Sequence, residues 1–137
     1  MNRVLLVEDN PDDLELALLA LDRGSFTTAV DVARDGAEAL DYLFTRRPEP
    51  PQVVLLDIKL PLVDGIDVLR QIKAEPRTRH IPVVMLTSSA QDRDLRACYE
   101  LGANSYIVKP VDMEQFMAAM NNIGAYWLGL NLTDPRT

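Results

Sequence analysis

Four apolar runs in this chain end in residues that could do chemistry. Arg3 to Val7 runs into Glu8-Asp9, Val53 to Leu56 into Asp57, Ile81 to Leu86 into Thr87, and Ala103 to Val108 into Lys109. A carboxylate at the lip of a buried strand costs stability unless something pairs with it. Carboxylates crowded together repel one another and take up a proton or a hard cation. An all-oxygen donor set suits Mg²⁺ better than a soft metal. The single His80 and single Cys98 supply no zinc set. Beside such an ion Asp57 is placed to act as a nucleophile towards a phosphoryl group, while Lys109 neutralises charge from the far side and Thr87 offers a hydroxyl. A phosphoryl group on Asp57 adds charge and acceptor oxygens that can draw Thr87 inward, which is how a switch begins.

These residues meet only if the runs lie side by side and point the same way. Val53-Val54-Leu55-Leu56 is short, continuously apolar and bounded by Pro50, Pro51 and Pro61, as a buried parallel strand is. Thr28 to Arg34 alternates and is less apolar, as an edge strand is. Helical segments separate the strands. Asn10 caps the first, Pro11 takes its first position, and Asp12 and Asp13 face the positive end of its dipole. Leu14, Ala17, Leu18 and Leu21 form its inward stripe, and Gly24 ends it. Ala37, Leu40 and Phe44 mark a second helix to about Thr45, and the Pro-rich stretch 46–52 is a loop. Asp64-Gly65 opens a third, with Ile66, Leu69 and Ile72 on one face and Pro76 as its stop. Residues 91–101 form a fourth, with Leu95, Cys98 and Tyr99 inward and Gly102 at its end. Asp112 caps a fifth, which carries Met113, Phe116, Met117 and Met120. Five strands alternating with five helices specify a doubly wound parallel α/β sheet with right-handed crossovers. In the strand order 2-1-3-4-5 the switch point falls between strands one and three, so Glu8, Asp9 and Asp57 converge on the expected ligand crevice.

The bulk properties agree. A length of 137 residues with 47% apolar and 26% charged residues describes one globular domain, read as spanning 1–137 with an extended last helix and a short tail. A net charge of -7 without a basic run argues against a nucleic-acid surface. No apolar run is long enough to span a bilayer, no secretory leader is visible, and one cysteine allows no internal disulfide, so a cytoplasmic protein is expected. Tyr126 and Trp127, so near the terminus, are hard to assign to the core and read as a contact patch for a homodimer.

At this point the chain resembles the receiver domain of two-component response regulators, a flavodoxin-like (β/α)5 fold. The resemblance rests on Glu8-Asp9 in VEDN, Asp57 in VVLLDIKLP, Asp64-Gly65, Thr87-Ser88 in VVMLTSS and Lys109-Pro110 in SYIVKP. It implies that Asp57 accepts phosphate from a phosphohistidine on a sensor histidine kinase. It also implies that Glu8, Asp9 and Asp57 ligate Mg²⁺ through side chains and Lys59 through its backbone carbonyl, and that Lys109 contacts the phosphoryl group. Thr87 and Tyr106 would form the coupled switch pair, with Tyr106 turning inward on activation, and the Lys109-Pro110 peptide would be cis. The Pro-rich loop and the long last helix are similar to those of stand-alone response regulators serving bacterial phytochromes, which implies a phytochrome kinase as partner and dimerisation through the last-helix face. No output domain is expected after that helix, so the chain's own surface would carry the signal, or phosphate would pass onward in a phosphorelay.

Three other readings compete. A phosphatase with an Asp nucleophile wants a second Asp two residues on, where Lys59 stands. A flavin or nucleotide binder wants small donors in the first strand-to-helix loop, where Glu8-Asp9-Asn10-Pro11 is hostile to phosphate without a metal. A partner-binding pseudo-receiver has no need of the full acid set.

Overall fold

The computed structural model describes residues 3–23, 29–46, 50–88, 92–109 and 112–122. Five parallel strands form one sheet in the order β2-β1-β3-β4-β5. They are β1 (Arg3–Val7), β2 (Ala29–Ala33), β3 (Val53–Asp57), β4 (Val83–Thr87) and β5 (Ser105–Val108). The crossover helices are α1 (Pro11–Arg23), α2 (Gly36–Asp41), α3 (Gly65–Ala74), α4 (Asp92–Glu100) and α5 (Met113–Asn122). The expected fold class and strand order both hold. β3 and β4 are buried at every position, whereas β2, on the edge, is only half-buried along most of its length.

Alternation along the strands builds two cores. Leu5, Val7, Val54, Leu56, Val83 and Met85 face α2, α3 and α4, and pack with Ala39, Leu69, Ile72 and Cys98. Val4, Leu6, Val53, Leu55, Val84, Leu86 and Ile107 face α1 and α5, and pack with Ala17, Leu21 and Phe116.

Several local expectations shift. β4 begins at Val83, not Ile81, because Pro82 has no N–H to give the ladder. The second helical segment is α-helical only to Asp41 and continues as a π-helical turn, Tyr42–Arg46. The wider turn lets the consecutive residues Tyr42 and Leu43 both bury, and the Tyr42 hydroxyl donates to Asp31. Leu18 is not inward: the buried stripe of α1 is Ala17, Ala20 and Leu21, and Leu18 stands about 100° from Ala17 on its rim. Tyr99 also points outward, 53% exposed, because Cys98 takes the inward position of α4. Gly102 closes α4 with φ +100°, a left-handed conformation that glycine adopts at no steric cost. Asn10 caps α1 as expected, accepting from the Asp12 and Asp13 N–H groups at 2.9 and 3.0 Å. The Lys109-Pro110 peptide, the side chains of Met113 and Met120, and Tyr126 and Trp127 lie outside the described residues.

Candidate functional site

The register sorts the chemically able residues between the two faces of the sheet. Val7 pairs with Leu56, so Glu8 follows alongside Asp57 at the carboxyl edge. Both continue the alternation of the α1/α5 face, and Lys109 does so from Ile107. Thr87 continues Val83 and Met85 on the opposite face, and Tyr106 sits beside Met85 there. The first group forms an ionic cluster, and the second pair stands behind it.

Lys109 is the hub of that cluster. Its Nζ lies 2.9 Å from Asp57 Oδ2, 2.8 Å from Glu8 Oε1 and 3.0 Å from Asp13 Oδ2. Glu8 and Asp57 are buried, whereas Asp13 remains partly exposed. The Lys59 N–H donates to Asp57 Oδ1 at 3.3 Å, and the Asn10 N–H donates to Glu8 Oε2 at 3.2 Å. Glu8 Oε1, though within ion-pair distance of Nζ, accepts no well-directed hydrogen bond. Burial pushes the Glu8 carboxyl from 4.5 up to about 7; Asp57 adds to the rise and Lys109 offsets part of it. Burial alone would lower the Lys109 ammonium, but Glu8, Asp57 and Asp13 outweigh it and hold Lys109 above its ordinary range.

The donor set fits a hard cation. One oxygen each from Glu8, Asp9 and Asp57 lie within 4.8 Å of one another. These three side chains would hold such an ion, which would relieve the repulsion among them. The poorly satisfied Glu8 Oε1 is the atom that gains most. A pH dependence follows. Between pH 4.5 and about 7 folded Glu8 holds a proton that the unfolded chain has released. Metal-free stability therefore falls as pH rises through that window, by up to about 3 kcal/mol. A divalent cation held by Glu8 would have to displace the same proton, so the affinity for one such as Mg²⁺ should drop about tenfold per unit below pH 7. Calorimetric titration of Mg²⁺ at several pH values checks this; a flat affinity from about pH 5.5 to 8 contradicts it.

Thr87 is buried at the end of β4, and its carbonyl accepts from the Lys109 N–H at 2.7 Å. Tyr106 already lies inward: its hydroxyl is buried without a hydrogen-bond partner, and its ring packs on Tyr99 with centroids 5.3 Å apart. Burial raises the Tyr106 hydroxyl above its usual range, with the Cys98 thiol beside it adding to the rise. Lys59 is exposed, as a residue contributing only backbone would be, and His80 is exposed as well.

Two features escaped the sequence. Asp13 reads as a helix-dipole acid, but α1 also brings it to Lys109. The only signal was its place in the first turn after an acid-tipped strand. Leu62, five residues past Asp57, adopts φ +68° and is 81% exposed. A leucine in that region stores about 1–2 kcal/mol of strain, and no sequence pattern announced it.

Residues 4–121 match the response regulator receiver domain family. The chain is 46% identical over 131 residues to the probable methanogenesis regulatory protein FilR2 of Methanothrix harundinacea, covering 93% of this chain and 84% of FilR2. Among solved structures it is similar to the bacteriophytochrome response regulator AtBRR (53% identity, TM-score 0.83, covering 93% of this chain and 95% of that one). It is also similar to the Mn²⁺-bound form of the response regulator Rcp1 (34% identity, TM-score 0.77, covering 93% and 95%).

Proposed function

Because this chain belongs to the response regulator receiver domain family, we propose that Asp57 is its phosphoryl acceptor and that the chain works as a stand-alone, phosphorylation-controlled signalling module. The observation that carries this reading is the convergence of Lys109 on buried Asp57 and Glu8. One Asp57 oxygen attacks phosphorus, the bond from phosphorus to the donor's imidazole nitrogen breaks, and an acyl phosphate forms. Lys109, already on Asp57 Oδ2, would follow the charge onto the phosphoryl oxygens. Glu8, Asp9, Asp57 and the Lys59 carbonyl would hold Mg²⁺, which would supply further neutralisation of that charge. No separate substrate is turned over; hydrolysis of the acyl phosphate resets the protein.

Thr87 and Tyr106 are the switch pair in this reading. They occupy neighbouring strands on one face of the sheet, with Thr87 at the acceptor's edge. A phosphoryl oxygen that draws the Thr87 hydroxyl towards it leaves room that the inward Tyr106 ring can hold. The phosphodonor is a sensor histidine kinase, and the likeness to AtBRR favours a bacterial phytochrome. The cytoplasm is the matching compartment. In the same reading two copies pair across the α5 face.

The test is incubation with acetyl phosphate and Mg²⁺, followed by intact-mass measurement. One phosphate adduct is expected on the native protein and none on Asp57→Asn. An unmodified native protein, where a control receiver is fully modified, overturns the assignment; so does an adduct that persists in Asp57→Asn.

A further inference from the structure

Leu62 stands on the 58–65 loop, which leaves β3 after Asp57 and closes back on it: the Gly65 N–H donates to Ile58 O at 2.7 Å. Across Leu62, whose φ is +68°, the Val63 N–H donates to Pro61 O at 2.8 Å. That is a γ-turn of the rare, strained hand. The turn is clamped from α2. The Gly36 N–H donates to the same Pro61 oxygen at 3.3 Å, and a Cβ on Gly36 would stand 1.9 Å from Val63 O. Packing of this kind over-determines the backbone and lets a disfavoured conformation persist. These hydrogen bonds are made by backbone atoms, and the leucine side chain is 81% exposed. Glycine or asparagine would take the same backbone with less strain, so the fold does not ask for leucine here.

A lone surface leucine would need no explanation. This one belongs to an apolar strip, with Pro61 exposed and Leu60 and Val63 half-buried beside it. The strip lies at the carboxyl edge of the sheet, in the loop that follows Asp57 directly. Asp57 is only 4% exposed, and helices cover both faces of the sheet, so a large phosphodonor reaches it across this edge. A protein surface that brings a phosphohistidine to Asp57 therefore lies against the loop. The charges around the strip narrow its chemistry. Asp35 and Asp64 flank it from the caps of α2 and α3, and Lys59 is the one cation of the loop. The complement is an apolar recess bordered by basic side chains.

We propose that Leu62 is a docking residue for the protein that carries the phosphohistidine, and that it seats in an apolar recess beside the histidine of that partner. The inference rests on the reading of Asp57 as phosphoryl acceptor and adds a point at which the donor protein is gripped. A small donor such as acetyl phosphate has no surface to meet Leu62 and is indifferent to it. The strained leucine is kept for what it gains on docking: burying an exposed leucine side chain strengthens binding about tenfold or more.

Leu62→Asn is the test, because asparagine tolerates the left-handed region and offers no apolar surface. The probe is a bacterial phytochrome kinase, autophosphorylated with ATP and selected for transfer to the native chain. Leu62→Asn should be at least as heat-stable as the native chain, and should take phosphate from acetyl phosphate and Mg²⁺ at the native rate. Its transfer rate from the kinase at low chain concentration should fall about tenfold or more, with the saturating rate unchanged. Leu62→Met, which keeps the apolar side chain, should recover most of the native rate. Equal slowing with both donors overturns the proposal, because Leu62 would then act on the acceptor itself. A lower thermal midpoint in Leu62→Asn overturns it too, because the leucine would then serve the fold. Kinase transfer at the native rate in Leu62→Asn overturns the docking role alone. A native chain left unmodified by acetyl phosphate, where a control receiver is modified, overturns the acceptor reading and the docking role with it.

Discussion

Lys109→Ala is expected to destabilise the metal-free protein by about 3 kcal/mol at neutral pH. Removing one partner from a buried ion pair costs about 3–5 kcal/mol, and the partly exposed Asp13 argues for the lower end. In the native protein one ammonium, 9% exposed, faces buried Glu8, buried Asp57 and Asp13. Alanine leaves three carboxylates with no cation. The sign is fixed by linkage: the Lys109 pKa is raised on folding, so its stabilisation is fully present below its unfolded value of about 10.5 and lost only in strongly alkaline solution. The deficit should therefore be complete at pH 7. It should shrink at pH 5, where Glu8 binds a proton more readily, and shrink again in millimolar Mg²⁺. Urea denaturation of the native and variant proteins with and without Mg²⁺ reads all three effects. Adding Glu8→Gln to Lys109→Ala should restore part of the loss, since it removes one of the stranded charges. A variant as stable as the native protein at pH 7 without metal would show that the cluster is solvated and that Lys109 is not its organiser. If Lys109 also steadies the phosphoryl oxygens, the rate of adduct formation from acetyl phosphate falls as well, in variants kept folded by Mg²⁺.

Gly65→Ala is expected to cost about 3 kcal/mol or more, the upper range for forcing volume into a packed site. A Cβ on Gly65 would stand 1.9 Å from the Asp57 carbonyl oxygen and 2.8 Å from both Ile58 Cα and the Ile58 carbonyl oxygen. All three are backbone atoms, so no side chain can rotate away. The Gly65 N–H also donates to Ile58 O at 2.7 Å, pinning the first turn of α3 directly beneath the acceptor. The Asp64 side chain caps that turn by accepting from Ile66 N. The substitution should therefore do two things together: lower the denaturation midpoint and slow phosphoryl uptake, because the carboxyl end of β3 must shift. Loss of stability with unchanged uptake per folded molecule would mean that Asp57 is positioned independently of α3. No loss of stability would mean that α3 slides outward freely.

Much of this was legible in the residues themselves. Hydrophobic runs against polar punctuation marked five strands and five helices, because a strand buried on both faces must be apolar throughout and a loop must not be. The capping residues Asn10 and Asp64 announced their helices by chemistry local to a few residues. Acid-tipped strands pointed to a common edge, since parallel strands put their carboxyl ends together. Tertiary structure decided what local patterns do not encode. Neighbouring packing settles which side of a helix is buried; hence Cys98 rather than Tyr99 faces in, and Leu18 stays at the rim. Asp13 joined Lys109 only because α1 and β5 share one face of the sheet, a contact between residues 96 positions apart. Leu62 took a left-handed conformation that its type disfavours, and the Gln52 oxygen was left without a partner, because both depend on how distant segments close around them. The sequence by itself determined which residues could do chemistry and at which edge they would gather. The fold alone decided which of them share a proton and a cation, because charge coupling falls off within a few ångströms and only three-dimensional packing sets distances on that scale.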